Sequence, residues 1–187
     1  DRDAKLTPRI AESAKFLWLI YTALTLACVI SYFFAGMNFF DAVCHAFSTV
    51  AIGGFSTHDQ SFQYFDLTSI KLVAIFFMIV SGVNFALHFS VLKRRNPFLY
   101  LADAEVRTYF LVLLLVSLFL VVVFQFRQSD SDADFIDHLF QAVSFATTTG
   151  FVSSELYLWP PIAQVILILA AFAGGCAGST AGGIKII

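Results

Sequence analysis

The stretch FATTTGF, residues 145–151, decides how this chain is read. Three consecutive threonines and a glycine stand between the acidic run SDSDADFID (129–137) and LYLWPP (156–161), inside a segment too short to cross a membrane. The stretch has a counterpart 96 residues earlier, AIGGF at 51–55, and the match extends on both sides. At that offset Asp41 meets Asp137, Ala46 meets Ala142, Ser48 meets Ser144, Gly54-Phe55 meets Gly150-Phe151, and Gly82 meets Gly178. One unit is therefore used twice, and internal repetition of this kind is a mark of transport folds.

The solvent around the repeat follows from composition. With 59% apolar residues, 13% charged residues and 23 phenylalanines, the chain exceeds what a water-soluble domain of this length carries. It reads as a membrane protein. Phe16–Phe34 has 19 residues without a charge, enough as a helix for about 28 Å against a hydrocarbon core of about 30 Å. Thr7-Pro8 just upstream suits an N-cap with proline at N1, which predicts a helix start near Pro8. Further spans are expected over Leu72–Leu92 and Tyr109–Phe126, and a fourth over Ile162–Ile187 that is unfinished at the last residue and contains GGCAGSTAGG.

Between these spans lie 40–62 (FDAVCHAFSTVAIGGFSTHDQSF) and 135–157 (FIDHLFQAVSFATTTGFVSSELY). Each begins with about ten helix-compatible residues and reaches a Gly-Phe pair, too short to cross and too apolar to float free. Both are expected to be re-entrant hairpins, tolerated at membrane depth only where the backbone is buried in protein or lines a water-filled cavity. The fold class is all-α membrane protein: two tandem span–pore-helix–span repeats with re-entrant loops, over residues 1–96 and 97–187.

Orientation comes from the basic residues. Arg2, Lys5, Arg9, Lys15, Lys93, Arg94, Arg95, Arg107 and Lys185 fall on one side, with only Lys71 and Arg127 on the other. The positive-inside rule makes the first side cytoplasmic, so both hairpins enter from outside. Asp41, Asp59, Asp66, Asp130, Asp132, Asp134, Asp137 and Glu155 lie outside, giving that face a formal charge of −6 against +4 inside. An outer mouth of that sign concentrates cations. A net charge of −2 and no basic run beyond Lys93-Arg94-Arg95 offer nothing for nucleic acid. Cys28, Cys44 and Cys176 lie outside any metal-ligand spacing and read as small apolar residues.

A short helix aimed inward points its negative dipole end, about half an elementary charge, at the membrane midplane, while Asp41 and Asp137 stand at the positive ends. Beyond those helices Ala51, Ile52, Gly53, Gly54, Phe55 and Thr147, Thr148, Thr149, Gly150, Phe151 are candidates for extended backbone whose carbonyls replace the water around a monovalent cation, the device of potassium-channel filters. Glycine suits such a run because it takes the left-handed conformations that turn successive carbonyls to one side. The threonine hydroxyls can add oxygens or fasten the loop to its backing helix. The plain alternatives are an ordinary turn at each glycine and a polar loop at the threonines. Ser48 and Ser144 are expected to bond within their own helices, His45 and His138 to bond locally, Asn84 and His88 to join helices, His58 and Asp59 to be solvated, and Tyr157 and Trp159 to anchor the interface.

Two readings compete for Gly174, Gly175, Cys176, Ala177, Gly178, Ser179, Thr180, Ala181, Gly182 and Gly183. Gly174, Gly178 and Gly182, spaced by four, fit close helix packing. Alternatively the helix is interrupted beneath the filter, leaving a flexible polar loop that acts as a gate. A phosphate loop is disfavoured, since Gly183 is followed by Ile184 before Lys185.

With these residues assembled, the chain resembles the Trk/Ktr/HKT superfamily of potassium transporters, and within it the bacterial TrkH-like membrane subunits. The resemblance rests on STVAIGGFSTHD (48–59), QAVSFATTTGF (141–151), GGCAGSTAGGIK (174–185) and LTPRIAESAK (6–15), and covers nearly the whole chain. It implies four fused copies of a potassium-channel unit around one pore, with Gly54 and Gly150 matching two of four filter glycines and Gly174–Gly183 matching the intramembrane loop beneath them. This chain would then hold the second and third copies, half of a pseudo-fourfold pore; a basic residue that the family places in the fourth copy has no position here. The resemblance also implies potassium ion as the transported substrate, no cofactor, a lipid environment in the bacterial inner membrane, a homodimer, and a cytoplasmic nucleotide-binding TrkA-like ring as regulatory partner.

Two other functions stay open. A two-repeat cation channel that dimerises would also complete four filter segments. A non-transporting scaffold or an intramembrane enzyme is the remote alternative; the enzyme would need Ser179 or Cys176 beside His88.

Overall fold

The computed structural model describes residues 3–126 and 135–186. Arg127, Asp130, Asp132 and Asp134, four of the charges counted toward the outer face, lie outside the described residues. Among the described residues the fold is all-helical, with one isolated backbone bridge between Cys176 and Ile186.

Helix α1 (Asp3–Ala35) begins before Pro8 and takes in the whole charge-free run. It ends as the Gly36 and Met37 N–H groups bond the carbonyls of Phe33 and Tyr32 at 3.2 and 3.1 Å. Asn38 then starts α2 (Phe39–Val50), its side chain accepting from the Asp41 N–H at 2.9 Å, an N-cap that satisfies one orphan donor of the first turn. The buried face of α2 carries Asp41, Ala42, His45, Ala46 and Ser48–Val50. Buried Tyr32 of α1 reaches across to it, its Oη 2.7 Å from Thr49 Oγ1.

The expected second span, Leu72–Leu92, is not one helix. α3 (Thr68–Ser81) and α4 (Phe85–Arg94) meet at 90° across Gly82-Val83-Asn84. Three local causes act together. Gly82 is pressed against the Tyr109 ring, where a Cβ would lie 2.3 Å from the phenolic oxygen. Asn84 caps α4 by accepting from the Ala86 N–H at 2.8 Å. The backbone groups freed by the break find partners in a distant loop: Cys176 N–H donates to Gly82 O (3.0 Å) and Phe85 N–H to Gly178 O (3.1 Å).

A short helix, α5 (Phe98–Ala102), leads into α6 (Ala104–Phe126), which with α1 is long and apolar enough to cross a membrane. α7 (Phe135–Ala146) matches α2 in length at 12 residues. α8 (Pro161–Ala173) is also short and stops where the glycine-rich stretch begins. Leu19, Phe34, Leu114 and Phe172 leave their side chains exposed on α1, α6 and α8, as lipid-facing positions do.

The core that positions the site is aromatic. Phe62, on a 3₁₀ turn (Ser61–Tyr64) after the first Gly-Phe loop, is fully buried, with ring centroids 4.5 Å from Phe151 and 5.0 Å from Phe140. It locks the α2 side of the molecule to the α7 side. Two hydrogen bonds seal the same seam, Gln63 N–H to Val152 O and Val152 N–H to Ser61 Oγ, both 3.2 Å. A smaller cluster of Leu120, Ala142, Trp159, Ala163 and Leu167 joins α6, α7 and α8. Of the pair expected to anchor the interface, Trp159 is buried, its ring 4.8 Å from Phe124 and 5.4 Å from His138, while Tyr157 is exposed.

Candidate functional site

The loops that leave α2 and α7 take the same backbone path. After α2, the N–H groups of Ala51, Ile52 and Gly53 donate to Phe47 O (3.0 Å), Thr49 O (3.1 Å) and Ser48 O (2.8 Å). After α7, those of Thr147, Thr148 and Thr149 donate to Val143 O (2.9 Å), Phe145 O (2.9 Å) and Ser144 O (2.8 Å), each pair offset by 96 residues from its counterpart. The left-handed positions match as well: Ile52 (φ +52°) with Thr148 (+68°), and Gly54 (+70°) with Gly150 (+85°). For the β-branched Ile52 and Thr148 this region costs about 1–2 kcal/mol, strain that persists only where surrounding contacts fix the chain.

Those contacts are identifiable. The loops touch at Gly54, where an added Cβ would lie 2.0 Å from Thr149 O and 3.3 Å from Gly150 C. Among the described residues, nothing lies within 4 Å of the corresponding position beside Gly150. Thr147 and Thr149 are buried and share a 2.7 Å bond between their hydroxyls, and Thr147 Oγ1 also donates back to Val143 O at 2.8 Å, so these two hydroxyls fasten the loop to α7. Ser144 Oγ does not bond within its helix but donates to Phe151 O at 2.8 Å. Ser48, its counterpart, leaves a buried hydroxyl without a hydrogen-bond partner among the described residues. Phe151 is buried and Phe55 is exposed. His45 and Gln141 hold equivalent places on their helices, and both tether the outgoing chain. His45 Nε2 lies 2.9 Å from Ser56 Oγ, and Gln141, its amide oriented to suit its neighbours, donates to Phe151 O (3.2 Å) and accepts from Ser153 N–H (3.0 Å).

The glycine-rich stretch is not helical. It folds against the inner ends of both loops. Thr180 Oγ1 donates to Val50 O, the last carbonyl of α2, at 2.8 Å, and lies 3.3 Å from Ser81 O at the end of α3. Gly182 N–H donates to Thr148 Oγ1 at 2.7 Å. Within the stretch Ser179 Oγ bonds Cys176 O at 2.7 Å, and the Lys185 ammonium donates to the carbonyls of Ser179 and Ala181. Gly174 cannot carry a side chain in this arrangement, since a Cβ would lie 2.2 Å from Gly182 O. Gly174 and Gly182 are thus packed together within one loop, not along a straight helix.

At the N-terminal ends of α2 and α7 the two acids are held by partners that sequence spacing did not reveal. Asp41 accepts from Thr57 Oγ1 (2.5 Å), Asn38 Nδ2 (2.6 Å) and His58 Nε2 (3.0 Å), and the His58 ring stacks on Tyr64 at 3.6 Å. Burial opposes ionisation of Asp41, but the hydrogen bonds from Thr57, His58 and Asn38 and the adjacent His58 outweigh it, leaving the carboxyl below its ordinary value. His58, expected to be merely solvated, is therefore part of a structural knot. Asp137 pairs with Lys71 of α3 at 2.7 Å, largely shielded from solvent. The signal for both was present in the repeat, which marks Asp41 and Asp137 as equivalent; their partners are residues the repeat does not preserve, since at the same offset Thr57 meets Ser153, His58 meets Ser154 and Lys71 meets Leu167.

The remaining candidates separate. His88 uses one ring nitrogen on Tyr100 Oη (2.7 Å) and the other on Val80 O (3.0 Å), so neither faces Ser179 or Cys176. No nucleophile–base pair forms there. Asn84 is a helix cap. His138 stacks on Phe124 at 4.0 Å. Cys28 and Cys176 are buried free thiols, and Cys44 is half-buried.

Comparison with known proteins matches residues 1–187 to the family model TrkH, cation transport protein. The chain is 46% identical over 188 residues to the Trk system potassium uptake protein TrkH of Escherichia coli K12, covering 100% of this chain and 39% of that protein. It is 41% identical to TrkG of the same organism, over 98% of this chain and 38% of that one. Among solved structures, the crystal structure of the potassium transporter TrkH from Vibrio parahaemolyticus superposes with a TM-score of 0.91 at 44% identity, over 96% of this chain and 39% of the other. The chain thus spans about two fifths of the length of the relatives it matches. Its apolar spans, paired loops and whole-length match lead to one conclusion: the chain belongs to the TrkH family of cation transport proteins and is a multi-pass membrane protein.

Proposed function

We propose that this chain forms two adjacent quarters of a potassium-uptake pore: two span–pore-helix–span repeats that contribute neighbouring filter segments, with a gate beneath them. The observation that carries the proposal is the pair of loops at 51–55 and 147–151, alike in hydrogen bonding and in the placement of left-handed residues, and in contact at Gly54 and Thr149. Alternation of φ between Ala51 (−75°), Ile52 (+52°) and Gly54 (+70°), with Gly53 outside the left-handed set, suits a backbone that turns successive carbonyls toward one axis. Such carbonyls replace the hydration shell of a monovalent cation. The hydroxyls of Thr147 and Thr149 are spent on fastening, which leaves main-chain oxygens as the ion ligands.

Names of the relatives support potassium as the substrate. The open side of Gly150, where Gly54 has a neighbour, supports a further segment next in the ring. The relatives carry sequence beyond the matched 39% that can supply it, which favours one long chain over a dimer of two-repeat chains. Gly174–Gly183 is the gating loop in this scheme, tied to the filter through Thr180–Val50 and Gly182–Thr148. A homodimer in the bacterial inner membrane and a TrkA-like cytoplasmic ring complete the assembly.

Rubidium uptake into liposomes holding the full-length protein, with and without a sodium gradient, tests the proposal. Selective uptake that rises when residues of the glycine-rich loop are deleted supports pore and gate together. Absence of cation flux from correctly folded protein overturns the transport assignment, and unchanged or lower flux after the deletion overturns the gate.

A further inference from the structure

The break between α3 and α4 builds something on the side away from the glycine-rich loop as well as on the side that holds it. α4 turns at 90° from α3, so if α3 runs along the membrane normal, α4 runs parallel to the membrane plane. The wedge left between α4, α1, α5 and α6 is a cleft of about 620 Å³, walled by Leu19, Ile20, Leu92 and Phe110 among others. Its polar side chains, His88 and Tyr100, bond each other at 2.7 Å and offer little to water. A second cleft of about 390 Å³ shares Leu19, Ile20 and Leu92 with the first and ends at Phe16, Phe89 and Lys93. The result is one apolar trough with an ammonium at its end.

Charge identifies the occupant. Lys93 Nζ sits 5.6 Å from the centre of the Phe89 ring, and Arg94 and Arg95 follow it, both exposed. Among the described residues, no acidic side chain lines either cleft. A helix that runs parallel to the membrane plane, with an apolar face and basic residues in its last turn, suits lipid of negative charge. We propose that this trough is a binding site for an anionic phospholipid of the leaflet on the basic side, its acyl chain between α1 and α4 and its phosphate on Lys93, Arg94 and Arg95. The proposal rests on the membrane placement argued above but not on the identity of the transported ion. The same break carries Gly82 O and Phe85 N–H, which hold Cys176 and Gly178 of the glycine-rich loop, so an occupied trough braces the element that anchors that loop.

Native mass spectrometry of the detergent-purified full-length protein tests this, with phosphatidylglycerol and phosphatidylcholine as probes. The expected result is a preference of roughly tenfold for phosphatidylglycerol, lost when Lys93, Arg94 and Arg95 are all changed to Gln. Ala23→Trp, which fills the trough from α1, should remove the bound lipid while elution volume stays unchanged. Equal retention of the two lipids, a preference that survives in the charge variant, or an adduct that survives Ala23→Trp overturns the site. Absence of any bound lipid, as when another part of the longer protein covers the trough, overturns it equally. Because lipid retention is read without transport, failure here leaves the pore assignment untouched, and the reverse also holds.

Discussion

Replacing Gly54 by alanine probes the filter assignment at its tightest point. The new Cβ would lie 2.0 Å from Thr149 O, against about 3.4 Å for ordinary contact, so one loop must yield by about 1.4 Å. Alanine must in addition hold φ near +70°, at a cost of about 1–2 kcal/mol. Both penalties fall on backbone that the structure fixes from behind, through Thr147, Thr149 and Ser144, so the displacement appears at the carbonyls. Losing one properly aimed carbonyl from a dehydrated cation is comparable to leaving a buried polar group unsatisfied, about 1–3 kcal/mol, or roughly 5- to 150-fold in selectivity. The assay is rubidium uptake by the full-length protein in liposomes, competed with potassium and with sodium, beside a melting curve that checks folding. A Gly54→Ala protein that melts within a few degrees of wild type and keeps its potassium-over-sodium preference would refute the reasoning.

Other consequences follow from contacts around the two loops and their helices. Thr180→Val removes the hydroxyl that holds Val50 O and should shift the glycine-rich loop toward an open form by about 1 kcal/mol, near fivefold in basal rubidium leak; an unchanged leak would remove Thr180 from the gate. Lys71→Met strands a shielded Asp137 carboxylate and should cost about 3–5 kcal/mol of stability, most of it recovered when Asp137→Asn is added; additive losses in thermal unfolding would contradict the pairing. Asp41→Asn should lower the melting temperature at pH 7, because hydrogen bonds to a charged carboxylate are worth about 1.5–3 kcal/mol. The folded carboxyl titrates below its ordinary 3.8, so its contribution is full above that pH and fades as pH falls through the lowered value; a gap between variant and wild type that is the same at pH 7 and pH 3 would remove the linkage.

What the sequence made legible is tied to what repeats and what is local. The charge-free run of α1, the lengths of α2 and α7, and the equivalence of 51–55 with 147–151 depend on nearest neighbours and on an offset visible by eye. The 90° turn at Gly82–Asn84 was not legible from apolarity, because Leu72–Leu92 is hydrophobic enough to span whichever way it points. Its direction is set by Cys176 and Gly178, about a hundred residues along the chain, and by the Tyr109 ring. The packing of Trp159 was not legible for a related reason: an aromatic near a span end is equally suited to the interface and to a pocket, and Phe124 and His138 supply a pocket. Asp41 was placed correctly at the start of its helix, yet its charge is held by Thr57 and His58 from a loop whose path only the fold defines. The glycine-rich stretch allowed two readings because a spacing of four serves helix packing and loop closure alike; contact between Gly174 and Gly182 favours the loop.

The most direct measurement is a structure of the full-length protein soaked with thallium, whose anomalous signal marks potassium sites. Thallium on an axis bounded by the carbonyls of Ala51–Gly54 and Thr147–Gly150 is the predicted result. Signal confined to the acidic surface around Asp59 and Glu155, with those carbonyls turned away from any shared axis, would contradict it.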